Sequence, residues 1–304
     1  MNFDYSFFKV SDGQSLAYKV WKDVTNPKGV VILIHGMAEH IERYDDFATF
    51  LNSNGFIVYG TDQRGHGKTS GKKGIFTNSK SWKRVVEDQK EFYDFVTKDC
   101  PNLDISYFIH SMGSFIGRTL LGTYNLPVKK LIISGTGYQN GLTSHLGTFL
   151  AGAICKIRGV ANDAVFLDGM VNNPFAASVK NPTTSFDWLS RDPDQVAKYV
   201  NDPNCGFICT NKFYYDFFNI ITVACKKSTM KKMNKDTQIL IYSGDEDPVG
   251  GKNISGVKKV YNLYKQLGLN VTMGTNPGGR HESVNETNKD DVYSIFKDFL
   301  LAEV

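Results

Sequence analysis

The stretch ISYFIHSMGSFIG, residues 105–117, decides how the rest of this chain is read. Ile105, Tyr107, Phe108 and Ile109 are β-branched or aromatic, which favours an extended strand. The segment that follows, SFIGRTLLGTY (114–124), reads as a helix. Ser111 stands at the join, with Gly113 two residues on. Ser-Met-Gly can be a plain loop. It can also be a sharp strand-to-helix turn that presents a hydroxyl and aims the next N–H and the helix N-terminus at the same point. Serine is a poor nucleophile until a base takes its proton and donors await the oxyanion. The second reading therefore requires a histidine, an acid and an oxyanion loop elsewhere in the chain.

Working outward, strand and helix patterns alternate on both sides of this turn. SLAYKVW (15–21), GVVILIHG (29–36), FIVYGTD (56–62), ISYFIH (105–110) and KKLIISG (129–135) read as strands. Several are continuous apolar runs, the mark of strands covered on both faces. DDFATFLNSNG (45–55) has helical spacing and a stop at Asn54-Gly55, and SWKRVVEDQKEFYDFVTKD (81–99) reads as a long helix capped by Ser81. After Gly135 the rhythm breaks, and it resumes only with strand TQILIYSG (237–244), helix KKVYNLYKQLG (258–268), strand NVTMGT (270–275) and helix DVYSIFKDFLLAE (291–303). The interruption holds the helical HLGTFLAGAICKI (145–157), the turn-rich NNPFAASVKNPTTS (172–185) and the aromatic run FYYDFFNII (213–221). The fold class expected is α/β: a mostly parallel central sheet flanked by helices, built from 1–136 and 234–304, with a mainly helical cap inserted at 137–233.

Composition narrows the function. A net charge of +4 on 304 residues, with no long basic run, speaks against nucleic acid as a partner. Cys205 and Cys209 are close but lack a companion Cys or His pair, so neither metal nor cofactor is expected. MNFDYSFFKVSDG has no apolar signal core, and no run reaches the roughly 18 residues of a membrane span. The expected location is cytoplasmic, with reduced thiols.

The partners that Ser111 requires are present. Of six histidines, His281 lies in PGGRHESVNE, between the last strand and the last helix, where loops gather at the strand C-termini. Asp245, Glu246 and Asp247 follow the strand 237–244, and all three compete for the acid's role. Asp247 is favoured, because Pro248 biases it to an extended conformation. LIHGMAEH (33–40) follows the first long buried strand, where an oxyanion loop belongs; the donors expected are the backbone N–H groups of Met37 and Met112. His35 reads as structural, with Glu39 and His40 orienting the loop.

The order Ser111, Asp247, His281, with HGMAEHIERYDDFATFL and DQRGHGKTSG (62–71) ahead of them, resembles the α/β-hydrolase superfamily. Within it the chain is similar to the monoacylglycerol lipase and lysophospholipase-like group, which is grouped with serine aminopeptidase-like hydrolases. Its HGxGEHxxRY pattern is matched with Ala38 in place of glycine, and its DxRGHGxSxG segment with Thr69 at the usual serine. The elbow departs further: the group has Gly-His-Ser-Met-Gly, and here Ile109 replaces the first glycine. Gly117, further along the following helix, is the candidate to supply the missing space. The resemblance implies a serine carboxylic ester hydrolase acting on medium or long acyl chains, as in monoacylglycerols or lysophospholipids. Its partner would be a small acyl ester, with transient membrane-surface contact through the cap. Cap aromatics, among them Phe213, Tyr214 and Phe217, either line an acyl pocket or pack the cap onto the core. Cap acids such as Asp163, Asp168 and Asp187 keep open an aminopeptidase or amidase of the same fold, and Ile109 keeps open a non-catalytic binding protein.

Overall fold

The computed structural model describes residues 4–78, 81–139 and 141–303. Eight strands among them form one sheet: β1 (Ser6–Lys9), β2 (Ser15–Trp21), β3 (Gly29–Ile34), β4 (Phe56–Thr61), β5 (Ile105–His110), β6 (Lys130–Ser134), β7 (Gln238–Gly244) and β8 (Val271–Asn276). Their order across the sheet is β1-β2-β4-β3-β5-β6-β7-β8. The first two pairings, β1 with β2 and β2 with β4, are antiparallel, and all the others are parallel.

Why the central strands read as unbroken apolar runs is plain from their burial. Every residue of β3, β5 and β6 is buried, because helices cover both faces. Alternate residues of β3 serve opposite sides. Val30, Ile32 and Ile34 join the cluster under α2 (Lys83–Asp99), α3 (Met112–Tyr124) and α9 (Ser255–Gln266). Val31 and Leu33 join the cluster under α1 (Asp45–Ser53) and α10 (Lys289–Leu301). This is an α/β-hydrolase fold, as the sequence implies.

Between β6 and β7 the chain is helical: α4 (Gly141–Arg158), α5 (Val165–Ala176), α6 (Pro193–Asn201), α7 (Asn211–Ala224) and the short α8 (Lys227–Met230). Its one isolated bridge among the described residues joins Asp163 to Thr210. Two details differ from the expectation. The stretch 172–185 is not all turn, since α5 runs through Pro174 to Ala176; a proline there removes one hydrogen bond close to the helix end, where the disruption is smallest. The helix expected from Ser81 begins at Lys83, with Ser81 Oγ accepting from the Lys83 N–H at 3.3 Å. Buried Arg118 of α3 anchors the inserted segment, donating to Gly137 O at 3.0 Å and to Ala224 O at 3.2 Å.

Ile109 and Gly117 do meet. A Cβ on Gly117 would stand 2.8 Å from Ile109 Cγ2 and 2.9 Å from its Cδ1, closer than real contacts allow. The space given up by glycine on α3 is taken by the isoleucine on β5. Overpacking of this kind costs about 1–3 kcal/mol, while helix propensity favours leucine over glycine by somewhat less than about 1 kcal/mol. Gly117→Leu should therefore lower the thermal midpoint, and Ile109→Gly in the same chain should recover part of the loss. Strictly additive midpoints for the two singles and the double would show that the residues are not coupled.

Candidate active site

Ser111 has φ +51° and ψ −122°, a conformation that side-chain-bearing residues rarely adopt. Strain of this kind costs about 1–3 kcal/mol and persists only where the surroundings over-determine it. Here the Ser111 N–H donates to Ser134 O at 3.1 Å, and Ser111 O accepts from the Ser114 N–H at 2.8 Å and the Ser114 hydroxyl at 2.6 Å. Gly113 makes the turn possible: a Cβ there would lie 2.2 Å from Ile34 O and 2.6 Å from His35 O. The first turn of α3 thus rests directly on the end of β3.

Three side chains from separate loops form one series of hydrogen bonds. His281 Nε2 lies 2.8 Å from Ser111 Oγ, and Nδ1 lies 3.0 Å from Asp247 Oδ1. An ionised carboxylate only accepts, so Nδ1 carries the proton and Nε2 is left to accept from the serine hydroxyl. Asp247 Oδ1 also accepts the Val249 N–H at 2.9 Å. Asp245 and Glu246 are exposed, and Asp245 spends an oxygen on the Gly278 N–H, so neither reaches the histidine. Burial of His281 pushes its pKa down, yet the charge and hydrogen bond of Asp247 outweigh this and leave it raised above 6.5. His110 stacks 4.7 Å from His281 between ring centroids and is held well below the usual range, by burial first and then by the charge of His281.

The loop after β3 lies against this series. Met37 and Met112 line the same cavity as Ser111 and His281. Met112 is the first residue of α3, so its N–H has no acceptor within the helix. His35 is buried and turned inward, with Nδ1 2.8 Å from Gly36 O and Nε2 accepting the Gln63 N–H at 3.0 Å. Ala38 takes φ +51° where glycine would be at ease. Its carbonyl accepts the Tyr199 hydroxyl at 3.0 Å and the Gly206 N–H at 2.9 Å, both from the inserted segment. His40 Nε2 lies 2.8 Å from Asp202 Oδ2, a second tie to that segment. Cys205 brings a third donor near this pair, all three atoms lying within 4.8 Å, but burial pushes its thiol away from the thiolate that a metal needs.

A cavity of about 710 Å³ opens from Ser111 and His281 under the inserted helices. Of the cap aromatics for which lining and packing both stood open, Phe217 lines it, as does its neighbour Phe218. Phe213 and Tyr214 do not: Phe213 is fully buried against Phe76, and the Tyr214 hydroxyl donates to Asp168 at 2.7 Å. They pack the inserted helices to the core. The wall also holds residues that sequence patterns did not single out, among them Phe115, Phe175, Trp188 and Ile221. Trp188 lies 5.1 Å from His281 between ring centroids, and its carbonyl accepts the His281 N–H at 3.3 Å. Nothing in the local pattern of SFDWLS marks it, because its role depends on a loop far along the chain.

Comparison with known proteins bears on the family and the fold. The profile of the family described as serine aminopeptidase, S33 matches residues 25–288. A monoacylglycerol lipase of Mycolicibacterium smegmatis is 27% identical over 299 residues, covering 96% of this chain and 95% of that protein. A monoglyceride lipase homolog of monkeypox virus is 26% identical, covering 91% and 90%. The crystal structure of a thermostable carboxyl esterase from Bacillus coagulans, in complex with glycerol, superposes with a TM-score of 0.90 at 28% identity, covering 99% of this chain and 98% of that one.

A reaction in which His281 takes the Ser111 proton needs the neutral imidazole. Turnover should rise with pH along an acid limb whose midpoint lies above 6.5, set by the raised pKa of His281. Asp247→Asn should move that midpoint down and cut turnover by as much as about 10⁴-fold. Asp245→Asn should leave both unchanged, and the reverse pattern would identify Asp245 as the partner. The measurement is kcat/KM against pH for the three proteins.

Proposed function

Because the chain belongs to the serine aminopeptidase S33 family of α/β-hydrolases, whose profile spans most of its length, we propose that it is a serine carboxylic ester hydrolase working through Ser111, His281 and Asp247. The observation that carries this reading is the 2.8 Å contact from Ser111 Oγ to His281 Nε2 at the floor of the cavity. In this reading Ser111 Oγ attacks the acyl carbonyl while His281 Nε2 takes its proton and Asp247 stabilises the imidazolium. The N–H groups of Met37 and Met112 receive the oxyanion. His281 returns the proton to the departing alcohol, and water repeats the sequence to release the acid and free the serine.

The substrate we assign is an ester of a medium or long acyl chain, of the monoacylglycerol or lysophospholipid type. Phe115, Val171, Phe175, Phe217, Phe218 and Ile221 give the cavity an apolar wall suited to such a chain. The segment 137–233 acts as the cap in this reading. Its α4 turns Leu142, Leu146, Phe149 and Ile157 to solvent, each at least 65% exposed and spaced along one helical face. Its α5 presents Phe166 and Met170 outward while Asp168 and Val171 face the cavity. Together the two helices form a surface suited to transient contact with lipid. A second reading, cleavage of an amide in a substrate bearing an amine, rests on Asp168. It is the one of the cap acids Asp163, Asp168, Asp187, Asp192 and Asp194 that faces the cavity, though one of its oxygens already accepts from Tyr214 and Asn172.

A fluorophosphonate should label the wild-type protein at Ser111, and a panel of p-nitrophenyl esters should show activity rising with acyl length into the medium or long range. Ser111→Ala should fold and lose labelling and hydrolysis together. Retention of a tenth of turnover would move the nucleophile elsewhere, and preference for aminoacyl p-nitroanilides would favour the amide reading.

A further inference from the structure

A buried cluster of charge lies behind the oxyanion loop and joins it to the loop of the histidine. Glu39 Oε1 accepts the Gly36 N–H at 2.5 Å and the Tyr44 hydroxyl at 2.9 Å. Its other oxygen accepts from Arg43 Nη1 at 2.5 Å. Arg43 then forks onto Glu282, Nη1 to Oε1 and Nη2 to Oε2, both at 2.7 Å. Glu282 is the residue after His281, and its own N–H donates to Leu189 O at 2.7 Å. The Arg43 side chain is 9% exposed and that of Glu282 is 4% exposed, so little water competes for these bonds. The guanidinium also covers the Tyr199 ring at 4.7 Å, the same tyrosine that bonds Ala38.

We propose that Glu39, Arg43 and Glu282 are positioning residues for the hydrolysis, a clamp that fixes the oxyanion loop at its working distance from His281. The proposal rests on the reading of Ser111 as the nucleophile. The two halves of the site come from loops after β3 and after β8, at different places in the sheet. A two-bond fork onto a carboxylate sets orientation as well as separation, which a single contact does not. On one side the clamp ends on the N–H of Gly36, the residue before Met37. On the other it ends on the residue adjoining the base. A shift of about 1 Å between such groups costs on the order of a hundredfold in rate.

The cluster also has an electrical consequence. It holds two carboxylates for one guanidinium. The groups facing His281 are Asp247 from the turn after β7, His110 at the end of β5, and the two glutamates. Ionised, both glutamates favour the imidazolium that forms when the serine proton is taken, Glu282 more than Glu39, whose own pKa burial and Glu282 raise. Against the upward push of burial, Arg43 holds Glu282 below its ordinary value, so this acid carries its charge.

The test uses the full-length protein, with fluorophosphonate labelling of Ser111 as a readout independent of substrate identity. Arg43→Lys keeps the charge but not the fork. It should slow labelling and lower kcat by about 10- to 100-fold, with KM changed by less than about twofold and the acid limb of the pH profile in place. Glu282→Gln removes a carboxylate beside the base, so its acid limb should move to lower pH. Should Arg43→Lys fail to fold, Glu282→Gln carries the test, since it keeps the shape and one acceptor for Arg43. Wild-type labelling rates per folded molecule in both variants, or a change confined to KM, would overturn the clamp. A wild-type protein that is not labelled at all would sink the reading of Ser111 and the clamp with it.

Discussion

The close approach of α3 to the end of β3 is the constraint on which the rest of the site depends. Gly113 has no Cβ, and a carbonyl oxygen of Ile34 sits where one would be. That contact forces the chain to reverse within one residue, and Ser111 takes the positive φ that the reversal needs. The hydroxyl then projects toward His281 instead of following the strand, and the Met112 N–H begins a helix whose dipole favours negative charge at the same point. Gly36 completes the arrangement from the other side, since a Cβ there would lie 3.2 Å from Ser111 Cβ and 2.5 Å from Glu39 Oε1. Ile109 shows which demands of the turn are rigid. The position two residues before the serine accepts a branched side chain because Gly117 yields the volume, whereas no neighbouring side chain can yield where the obstacle at Gly113 is backbone.

Much of this was legible in the chain because it follows from local chemistry. Buried parallel strands read as unbroken apolar runs, and the loops at their C-terminal ends are where Ser111, Asp247 and His281 lie. β1 escaped notice because three of its four residues are exposed and it pairs only along one edge. α5 and α6 are harder to see because each holds a proline, which counts against a helix in local pattern, although Pro193 opens its helix behind a capping Asp192. Phe213 and Phe217 show a different limit. They share a face of α7, one turn apart, yet the axis carries Phe213 past the cavity into the core beside Phe76 and His66. A helical period gives the face a residue occupies, not what stands opposite it.

The inserted segment is not uniform in how it is held. Residues 187–191 are stitched to the loop of the histidine: Trp188 and Leu189 carbonyls accept from His281 and Glu282, the Ser190 hydroxyl donates to Asn285 O, and Arg191 pairs with Glu286 at 2.8 Å. α4 instead shows much of its apolar face to solvent. The strap is therefore part of the site's rigid frame, and the exposed helices are the part free to meet a surface. That division fits the proposed hydrolysis, in which a base must keep its place within a fraction of an ångström while an acyl chain would need only an apolar wall.

His281 shows how function and stability pull apart here. Its pKa in the folded chain lies above the unfolded value, so it adds stability that is fully present below about 6.5 and is lost as pH rises through the folded value. The neutral imidazole that can accept a proton exists only where that contribution has gone. A site built for stability would keep the imidazolium paired with Asp247, whereas a site built for proton transfer forms it briefly and must hold the geometry without it. Buried ion clusters such as Glu39–Arg43–Glu282 suit the second purpose: they add little net stability over apolar packing, but breaking one costs about 3–5 kcal/mol. The frame around His281 therefore stays fixed by contacts that do not depend on its proton.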